Sequence, residues 1–286
     1  MMKTAALFLI ALFAFAGNSV IARYALLEPA IDPASFIIIR ILSGAVTLWI
    51  LLTLLQQRTV KSKRSITTKG SWWGALMLSV YAIAFSYAYV ELETGFGALV
   101  LFAAVQLTML GVNISRGVLL TKAEWVGCII AFGGLAYLVV PTISVPDSLL
   151  ASITMIMAGS AWGFYSLHGR GRVNPLADTT YNFVRAAPIV IVALLFALPD
   201  AAVTSEGILL AVLSGSVTSG LGYAVWYLVL PRLSVTTAAI GQLSVPLIAA
   251  YGGVLFAGEL FTRQLVIAAS LIIGGILIVS WKNKPR

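Results

Sequence analysis

The feature that most constrains this chain is a series of apolar segments, each about 20 residues long, which are separated by charges or prolines. A helix of about 20 apolar residues can cross the hydrocarbon core of a bilayer. Strands are excluded at these lengths, because unpaired backbone groups are too costly in lipid. The sequence therefore predicts an all-α integral membrane protein with ten transmembrane helices, at residues 4–22, 35–55, 71–90, 96–114, 124–140, 149–168, 177–198, 207–229, 235–257 and 264–281.

Composition excludes the other broad classes. Of the 286 residues 60% are hydrophobic and 10% are charged, whereas a soluble domain is about 25% charged. A soluble enzyme and a disordered chain are therefore excluded. The single cysteine, Cys128, cannot form an internal disulfide. The net charge of +8 fits either a nucleic-acid partner or the loops of a membrane protein, where Lys and Arg collect on the cytoplasmic side.

The distribution of charge along the chain decides between these interpretations. With the N-terminus inside, 14 of the 18 basic residues fall in cytoplasmic segments, and eight of the ten acidic residues fall on the far side. We therefore predict cytoplasmic N- and C-termini, an inner (plasma) membrane location, and no nucleic-acid partner. The inside residues are Lys3, Arg58, Lys61, Lys63, Arg64, Lys69, Arg116, Lys122, Arg170, Arg172, Arg232, Lys282, Lys284 and Arg286, and the outside acids are Glu28, Asp32, Glu91, Glu93, Asp147, Asp200, Glu206 and Glu259.

Segment 4–22 could also be a secretory signal, since Lys3 precedes its apolar run. Its apolar part is long for a signal sequence and no A-x-A cleavage site ends it. We therefore interpret it as the first membrane helix.

Short matches relate the two halves of the chain, residues 1–145 and 146–286. Five predicted helices in each half is an odd number, so the second half must enter the membrane from the opposite side. Inverted repeats are frequent in secondary transporters, with the substrate near the midplane between the halves. The matched positions are Ser86-Tyr87-Ala88 with Gly222-Tyr223-Ala224, Gln106-Leu107-Thr108 with Gln242-Leu243-Ser244, Leu120-Thr121-Lys122 with Phe261-Thr262-Arg263, Gly133-Gly134 with Gly274-Gly275, and Arg40 with Arg185.

This pattern resembles the drug/metabolite transporter superfamily, EamA-type. The residues that carry the resemblance are the arginine in the second helix of each half, the stretch Gly258–Thr262, and Gly274-Gly275. Size and aromatic-rich spans are most similar to the bacterial aromatic amino acid exporters (YddG-like). Two departures concern helix ends: Val118 stands where a counterpart of Glu259 is expected, and Gly17-Asn18 stands where the second half has Trp162-Gly163.

Ionisable residues at membrane depth are candidates for function. No Asp or Glu falls near the middle of a predicted span, but Arg40 and Arg185 lie within spans. Either each arginine extends its head group to the interface, or each binds a helix end or a carboxylate and gates one mouth of the path. For His168, at a helix end, we favour a solvated position over a proton relay. Pro246, in the middle of a span, is a third candidate for gating or positioning, because proline kinks a helix.

Amides and aromatic rings supply the candidate substrate site. Most polar side chains in membrane helices join helices together, and aromatic residues near span ends, such as Tyr89, Tyr227 and Trp281, form an interfacial belt. Rings and amides that lie deeper favour a flat, largely apolar ligand. The candidate substrate-binding residues are Asn18, Tyr81, Tyr87, Gln106, Trp162, Tyr165, Tyr223 and Gln242.

The sequence has no HExxH, no P-loop and no metal-ligand cluster. We therefore expect no enzyme, no cofactor and no metal site, and transport driven by a gradient. The prediction is a monomeric secondary transporter that exports small organic solutes, with aromatic amino acids favoured, as a uniporter or with proton coupling. The alternative is a nucleotide-sugar or drug/metabolite carrier of the same fold, in which the arginines would face phosphates.

Overall fold

The computed structural model describes residues 2–27, 30–58, 69–92, 94–117, 120–139, 149–170, 172–195, 202–234, 237–238, 241–256 and 263–282. These residues are helical apart from short connections and one isolated antiparallel bridge. The helices are α1 (Met2–Leu27), α2 (Pro33–Arg58), α3 (Trp72–Glu91), α4 (Thr94–Ser115), α5 (Lys122–Val139), α6 (Leu149–Gly169), α7 (Pro175–Leu194), α8 (Ser205–Leu213), α9 (Gly222–Val229), α10 (Ser244–Phe256) and α11 (Arg263–Lys282).

Local sequence explains where several helices begin. Ser71 caps α3 by accepting a hydrogen bond from the Gly74 N–H, and Thr204 caps α8 in the same way through Gly207. Asn174 caps α7, whose first residue is Pro175. These residue types satisfy the unpaired N–H groups of a first turn, and proline at that position lacks only an N–H that would have no helical partner.

Five stretches of the described chain are long and apolar enough to cross a membrane: Lys3–Leu26, Pro33–Leu55, Trp72–Glu91, Leu149–Gly169 and Ser205–Arg232. Val100–Ser115 and Val266–Gly275 are shorter apolar helices. Large apolar side chains point outward from the bundle; Phe13 is 62% exposed and Val192 is 69% exposed. Such exposed apolar surface suits a lipid environment.

The stretch Ser205–Arg232 is one continuous helical run with a change of winding inside it. Its segment Ser214–Leu221 is a π-helix, which joins α8 to α9. Local π-helical turns inside α-helices occur frequently at functional sites. We call residues 214–221 the π segment.

Pro246 occupies a different position within its helix from the one that the sequence suggested. The expected helix 235–257 is interrupted at Gln242 and Leu243, and α10 begins at Ser244. Pro246 therefore sits in the first turn of α10 rather than in the middle of a helix, and a missing N–H in that turn leaves no helical hydrogen bond unmade. The break in the helix falls next to Gln242 instead.

The first and second halves of the chain interleave. α3 and α4 both pack on α6, while α9, the π segment and α10 pack on α1. α2 packs on α7 and on the π segment, and α5 packs on α11. Gly215 allows the π segment to approach α2 closely, because a Cβ at this position would overlap the Ser43 side chain and the Arg40 carbonyl. The surfaces that meet at the centre therefore come from both halves.

A short bridge also joins the halves beside the start of α2. Ile31 pairs with Val203, and the Asp32 N–H donates to the Ala202 carbonyl at 2.8 Å. The Thr204 N–H donates to the Ala30 carbonyl at 2.9 Å. Backbone hydrogen bonds therefore connect the two halves of the chain at this end of the bundle.

Candidate functional site

A buried arginine lies where α2 meets α3, the π segment and α9. The Arg40 side chain is 1% exposed. Its Nε donates to the Ser219 hydroxyl at 3.1 Å, and its Nη2 donates to the hydroxyls of Tyr81 at 3.3 Å and Tyr223 at 3.1 Å. The guanidinium carbon also lies 5.1 Å from the centre of the Phe85 ring, which is close enough for a cation–π contact. Arg40 therefore does not extend to the interface, which was one of the two predicted interpretations.

The partners of Arg40 among the described residues are neutral. Within the described part of the chain, no carboxylate lies within ion-pair distance of Arg40, and its Nη1 has no hydrogen-bond partner. A buried charge without a counter-ion is costly and is retained chiefly where it has a function. The arrangement leaves one guanidinium N–H donor group available to an acceptor that enters the site.

An amide from α1 extends this polar centre toward the π segment. The Asn18 side-chain oxygen accepts hydrogen bonds from Ser214 at 2.7 Å and Thr218 at 3.1 Å, while its nitrogen donates to the Tyr81 hydroxyl at 3.3 Å. The Tyr81 hydroxyl is thus shared by Asn18 and Arg40. Side chains from both halves of the chain fix the position of the arginine.

Aromatic rings pack against this polar centre. The Trp162 ring centroid lies 4.5 Å from that of Tyr223, 5.1 Å from Tyr81 and 5.3 Å from Phe15. The Trp162 indole N–H donates to the Gln242 side-chain oxygen at 3.0 Å, which connects the rings to the break before α10. We call Asn18, Arg40, Tyr81, Trp162 and Tyr223 the central cluster.

The central cluster is tightly closed. A cavity beside Trp162 has a volume of about 10 Å³, which is room for about one water. Sites for organic ligands are typically ~300–1,000 Å³. This cavity can therefore hold an organic solute only if the helices around it separate. The cavity is lined by Phe15, Ser19, Tyr81, Leu101, Phe102 and Trp162.

The structure brings together most of the residues that the sequence singled out. Besides the central cluster, Gln242 bonds to Trp162, and Tyr165 lies 5.6 Å from Trp162 between ring centroids. Tyr87 is 38% exposed and faces outward, because it is two residues, or about 200° of helix rotation, away from both Phe85 and Tyr89. Gln106 is buried against Cys128 of α5 instead, with 3.9 Å between its Nε2 and the sulfur.

Arg185, which the sequence analysis matched with Arg40, lies outside the central cluster. It donates to the Lys69 carbonyl and stacks near the rings of Trp72 and Tyr181, at 5.6 and 5.9 Å. Gly70 makes the adjacent turn with a φ of +67°, a conformation that favours glycine. Arg185 therefore holds the connection before α3.

Sequence reasoning missed several residues of the site. The central cluster is also contacted by Phe15, Phe85 and Ser219. Of these three, only Phe85 has a signal in the sequence, which is its i, i+4 spacing with Tyr81 and Tyr89. Tyr89 and Tyr227 are fully buried inside the bundle rather than in an outward-facing belt, because their faces of α3 and α9 pack on other helices. The motif Gly258–Thr262, including Glu259, lies outside the described residues.

Asp178 was also missed. It is a buried carboxylate, 3% exposed, in the first turn of α7. The signal for it is its place inside the predicted span 177–198, a few residues after two arginines. No group of three or more His, Cys, Asp or Glu side chains that could hold a metal ion occurs in the part of the chain that is described.

The fold and its centre define a class of protein. The chain is a multi-pass membrane protein whose halves meet around a buried polar centre, and this organisation belongs to solute transporters. The EamA-like transporter family matches residues 149–281. An uncharacterized protein of Pseudomonas aeruginosa is 43% identical over 277 residues, which are 97% of this chain and 94% of that protein. The chain belongs to the EamA-like transporter family, whose members are transporters rather than enzymes.

A solved crystal structure has the same fold. It covers 99% of both chains with a TM-score of 0.78 and 18% sequence identity. At this identity the similarity concerns the fold alone.

Proposed function

We propose that this protein is a secondary transporter that exports small organic solutes bearing a carboxylate, with aromatic amino acids as the favoured substrates. The observation that carries this proposal is the buried Arg40, whose Nη1 has no partner and which has no carboxylate within ion-pair distance in the described chain. A substrate carboxylate would supply the missing counter-charge. The remainder of the protein would supply a path of alternating access.

Arg40 is suited to bind a carboxylate in a buried site. Its guanidinium is planar and always charged, and it matches the two oxygens of a carboxylate. Hydrogen bonds between charged groups are stronger than those between neutral groups. The hydroxyls of Tyr81 and Tyr223 hold the group in one orientation. Binding would therefore not require the arginine to be ordered first.

The rings of the central cluster suit an aromatic substrate body. The centroid of the Trp162 ring lies within 6 Å of those of Tyr81, Tyr223 and Phe15. The Tyr223 ring is also 5.9 Å from Phe15 and 6.5 Å from Tyr81. A flat apolar solute could enter between these rings and keep the same kind of ring contacts. The faces of electron-rich rings also attract an ammonium group, which accommodates the amino group of an amino acid.

Alternating access is supported by the way in which the helices pack. Contacts in one half have counterparts in which the roles of the two halves are exchanged. The packing of α3 on α6 corresponds to that of α9 on α1, and the packing of α4 on α6 corresponds to that of α10 on α1. α2 with α7 and α5 with α11 are pairs of equivalent helices. This reciprocity favours an inverted repeat of residues 1–145 and 146–286, in which movement of one half against the other opens each side in turn.

Loop charges support the proposed location and orientation. Arg170, Arg172 and Lys69 lie at the same end of the bundle as the start of α7, and the acidic residues Asp32 and Glu206 lie at the other end. By the positive-inside rule the first end is cytoplasmic. We propose an inner-membrane protein with both termini in the cytoplasm, which acts as a monomer.

A nucleotide-sugar or other metabolite carrier of the same fold is the second candidate. The observation that favours it is again Arg40, since a guanidinium binds phosphate oxygens as well as carboxylates. The two candidates differ in the size and charge of the solute. A diphosphate brings at least two negative charges to a centre where the described cation is a single arginine.

Efflux from liposomes that contain the purified protein tests the proposal. The solutes are tryptophan, threonine, a quaternary amine and a sugar nucleotide, each with and without a pH gradient. Tryptophan should leave faster than from empty liposomes. Indole-3-propionate, which keeps the carboxylate, should compete with it, whereas tryptamine, which lacks the carboxylate, should not. Competition by tryptamine alone, or flux of the sugar nucleotide alone, would contradict the proposed substrate class.

A further inference from the structure

A second polar cluster lies at the end of the bundle where α3, α6 and α7 meet. The Ser71 hydroxyl lies 2.7 Å from His168 Nε2, and the Asn182 side-chain oxygen accepts from the Ser71 N–H at 2.8 Å. Arg172 contacts His168 Nε2 through its Nη2 and lies 3.8 Å from Asp178 Oδ2 through its Nε. We call Ser71, His168, Arg172, Asp178 and Asn182 the mouth cluster.

Asp178 is the unusual member of this cluster. It is buried, and its Oδ2 is 3.8 Å from Arg172 and 3.5 Å from the Asn182 amide nitrogen, which are long contacts. Its Oδ1 has no hydrogen-bond partner among the described residues. A carboxylate anion in this position is incompletely compensated. A proton on Oδ1 would remove the charge.

The contact with Arg172 indicates which His168 nitrogen accepts a hydrogen bond. Arg172 can only donate, and it contacts Nε2, which also lies beside the Ser71 hydroxyl. A ring that accepts at Nε2 carries its proton on Nδ1 and is neutral. Other groups around Asp178 are Arg185 on the same helix, Tyr165 on α6 and Tyr227 on α9. The described contact with α2 is neutral, from the Thr180 hydroxyl to the Leu48 carbonyl at 3.4 Å.

The mouth cluster is separated from the central cluster by one layer of rings. The Tyr227 hydroxyl donates to the Tyr165 carbonyl at 2.9 Å, and the Tyr165 ring lies 5.3 Å from Tyr227 and 5.6 Å from Trp162. Trp162 belongs to the central cluster. A change in the mouth cluster is therefore positioned to alter access to Arg40.

We propose that Asp178 is the proton-binding site that couples opening of this mouth to a proton. The carboxylate takes a proton from hydronium on Oδ1, which leaves a neutral acid and a water molecule. Its attraction for Arg172 is then lost, and the contact between α3, α6 and α7 loosens. Loss of the proton restores the anion, recaptures Arg172 and closes the mouth. This inference rests on the proposed transport function for its purpose, but the opening itself can be measured without a substrate.

The test measures access to the mouth as a function of pH. Thr179→Cys, at a buried position beside Asp178, is introduced into full-length Cys128→Ala protein in detergent. Labelling by a membrane-impermeant thiol reagent is followed from pH 8 to pH 5 and normalised at each pH to the rate in the unfolded chain. The normalised rate should rise at least fivefold toward low pH. In Asp178→Asn it should be fast and vary less than twofold, while the matched control Glu91→Gln, an exposed carboxylate on α3, should keep the full pH dependence.

The outcomes separate the two proposals. The proton site is overturned if Asp178→Asn has the same pH profile as the parent. It is also overturned if His168→Gln loses the pH profile while Asp178→Asn retains it. If Asp178→Asn does not purify as folded protein, Arg172→Gln serves in its place and should be labelled fast at every pH. A parental profile in Arg172→Gln also overturns the site. Failure of solute flux in liposomes with an intact labelling profile contradicts the proposed transport function and leaves the proton site supported.

Discussion

At the scale of single residues, the chain retains a charge where a membrane protein normally has none. Arg40 is fully buried, and every described partner is a neutral hydroxyl or ring. A residue that served only the fold would normally be paired with an acid, because an uncompensated charge lowers stability. This arrangement is expected of a binding site, where a ligand completes the charge balance.

Replacement of Arg40 tests this directly. Arg40→Gln should weaken binding of a carboxylate substrate by about 10- to 100-fold, because a hydrogen bond to a charged group contributes ~1.5–3 kcal/mol. The melting temperature in detergent without substrate should stay the same or rise, since an unpaired charge is removed. Arg116→Gln, at an exposed arginine after α4, is the control for net charge and should bind normally. A lower melting temperature in Arg40→Gln with unchanged binding would assign Arg40 to the fold instead.

The bond between Trp162 and Gln242 is a second test at this scale. Trp162→Phe keeps a ring beside Tyr81 and Tyr223 but loses the N–H that donates to Gln242. We expect aromatic substrates to be bound within about tenfold of the parent, because the lost neutral hydrogen bond contributes ~1 kcal/mol. Trp162→Ala should lose more, since the ring contacts also disappear. Equal affinities in all three proteins, measured by binding of radiolabelled tryptophan, would remove Trp162 from the site.

At the scale of the elements, the π segment determines where the polar groups point. Its Ser214 and Thr218 bond to Asn18, and its Ser219 bonds to Arg40. The segment contacts α2 closely because Gly215 presents no side chain to Ser43 and the Arg40 carbonyl. Gly44 of α2 faces Phe183 and the Gly215 carbonyl in the same contact. The two helices can thus meet with backbone nearly touching backbone.

Glycine substitutions test this contact. Gly215→Val should lower the free energy of unfolding by ~1–3 kcal/mol or more, because overpacking forces the backbone to move. Transport should fall with it, since the site residues on α2 and the π segment shift apart. Gly274→Ala is the matched control, as no atom lies within 4 Å of an added Cβ in α11, and a helical alanine should raise stability by about 0.5–1 kcal/mol. Thermal melts in detergent provide the measurement, and equal melting temperatures for both variants would contradict the packing argument.

At the scale of the whole molecule, contacts between the two halves of the chain lie at both ends of the described bundle. Backbone hydrogen bonds join residues 30–32 to residues 202–204 at one end. The mouth cluster lies at the other end, together with Arg170, whose side chain donates to the Leu233 carbonyl at 2.7 Å. The described central cavity has room for about one water, so the helices around it must separate before an organic solute can occupy it.

The orientation of the molecule in the membrane is testable with single cysteines. In the Cys128→Ala background, a cysteine at Lys69 should be labelled by an impermeant reagent only when the cytoplasmic face of membrane vesicles is exposed. A cysteine at Ser205 should be labelled only from the opposite face. This follows from the excess of Lys and Arg on the cytoplasmic side. Labelling of both positions from one face would contradict the proposed inversion, because an odd number of predicted spans separates them.

The sequence by itself determined the class of molecule and much of the order of its helices. Runs of about 20 apolar residues have few alternatives in a bilayer, and helix starts at Ser71, Asn174 and Thr204 depend on local hydrogen bonds. These features depend only on residues that are close together in the sequence. The helical spans predicted at 71–90 and 149–168 accordingly agree within a residue or two with α3 and α6.

Tertiary structure decided which faces of those helices meet. The predicted repeat matched Gln106 with Gln242, yet Gln106 contacts Cys128 and Gln242 bonds to Trp162. Tyr81 and Tyr87 lie on the same helix, but only Tyr81 faces Arg40. The spacing of residues along a helix gives their relative rotation, but the absolute rotation depends on long-range packing. For this reason the sequence could identify Arg40 as a residue inside a predicted span. The neutral surroundings of Arg40 and the incomplete charge compensation of Asp178 could be identified only from the folded bundle.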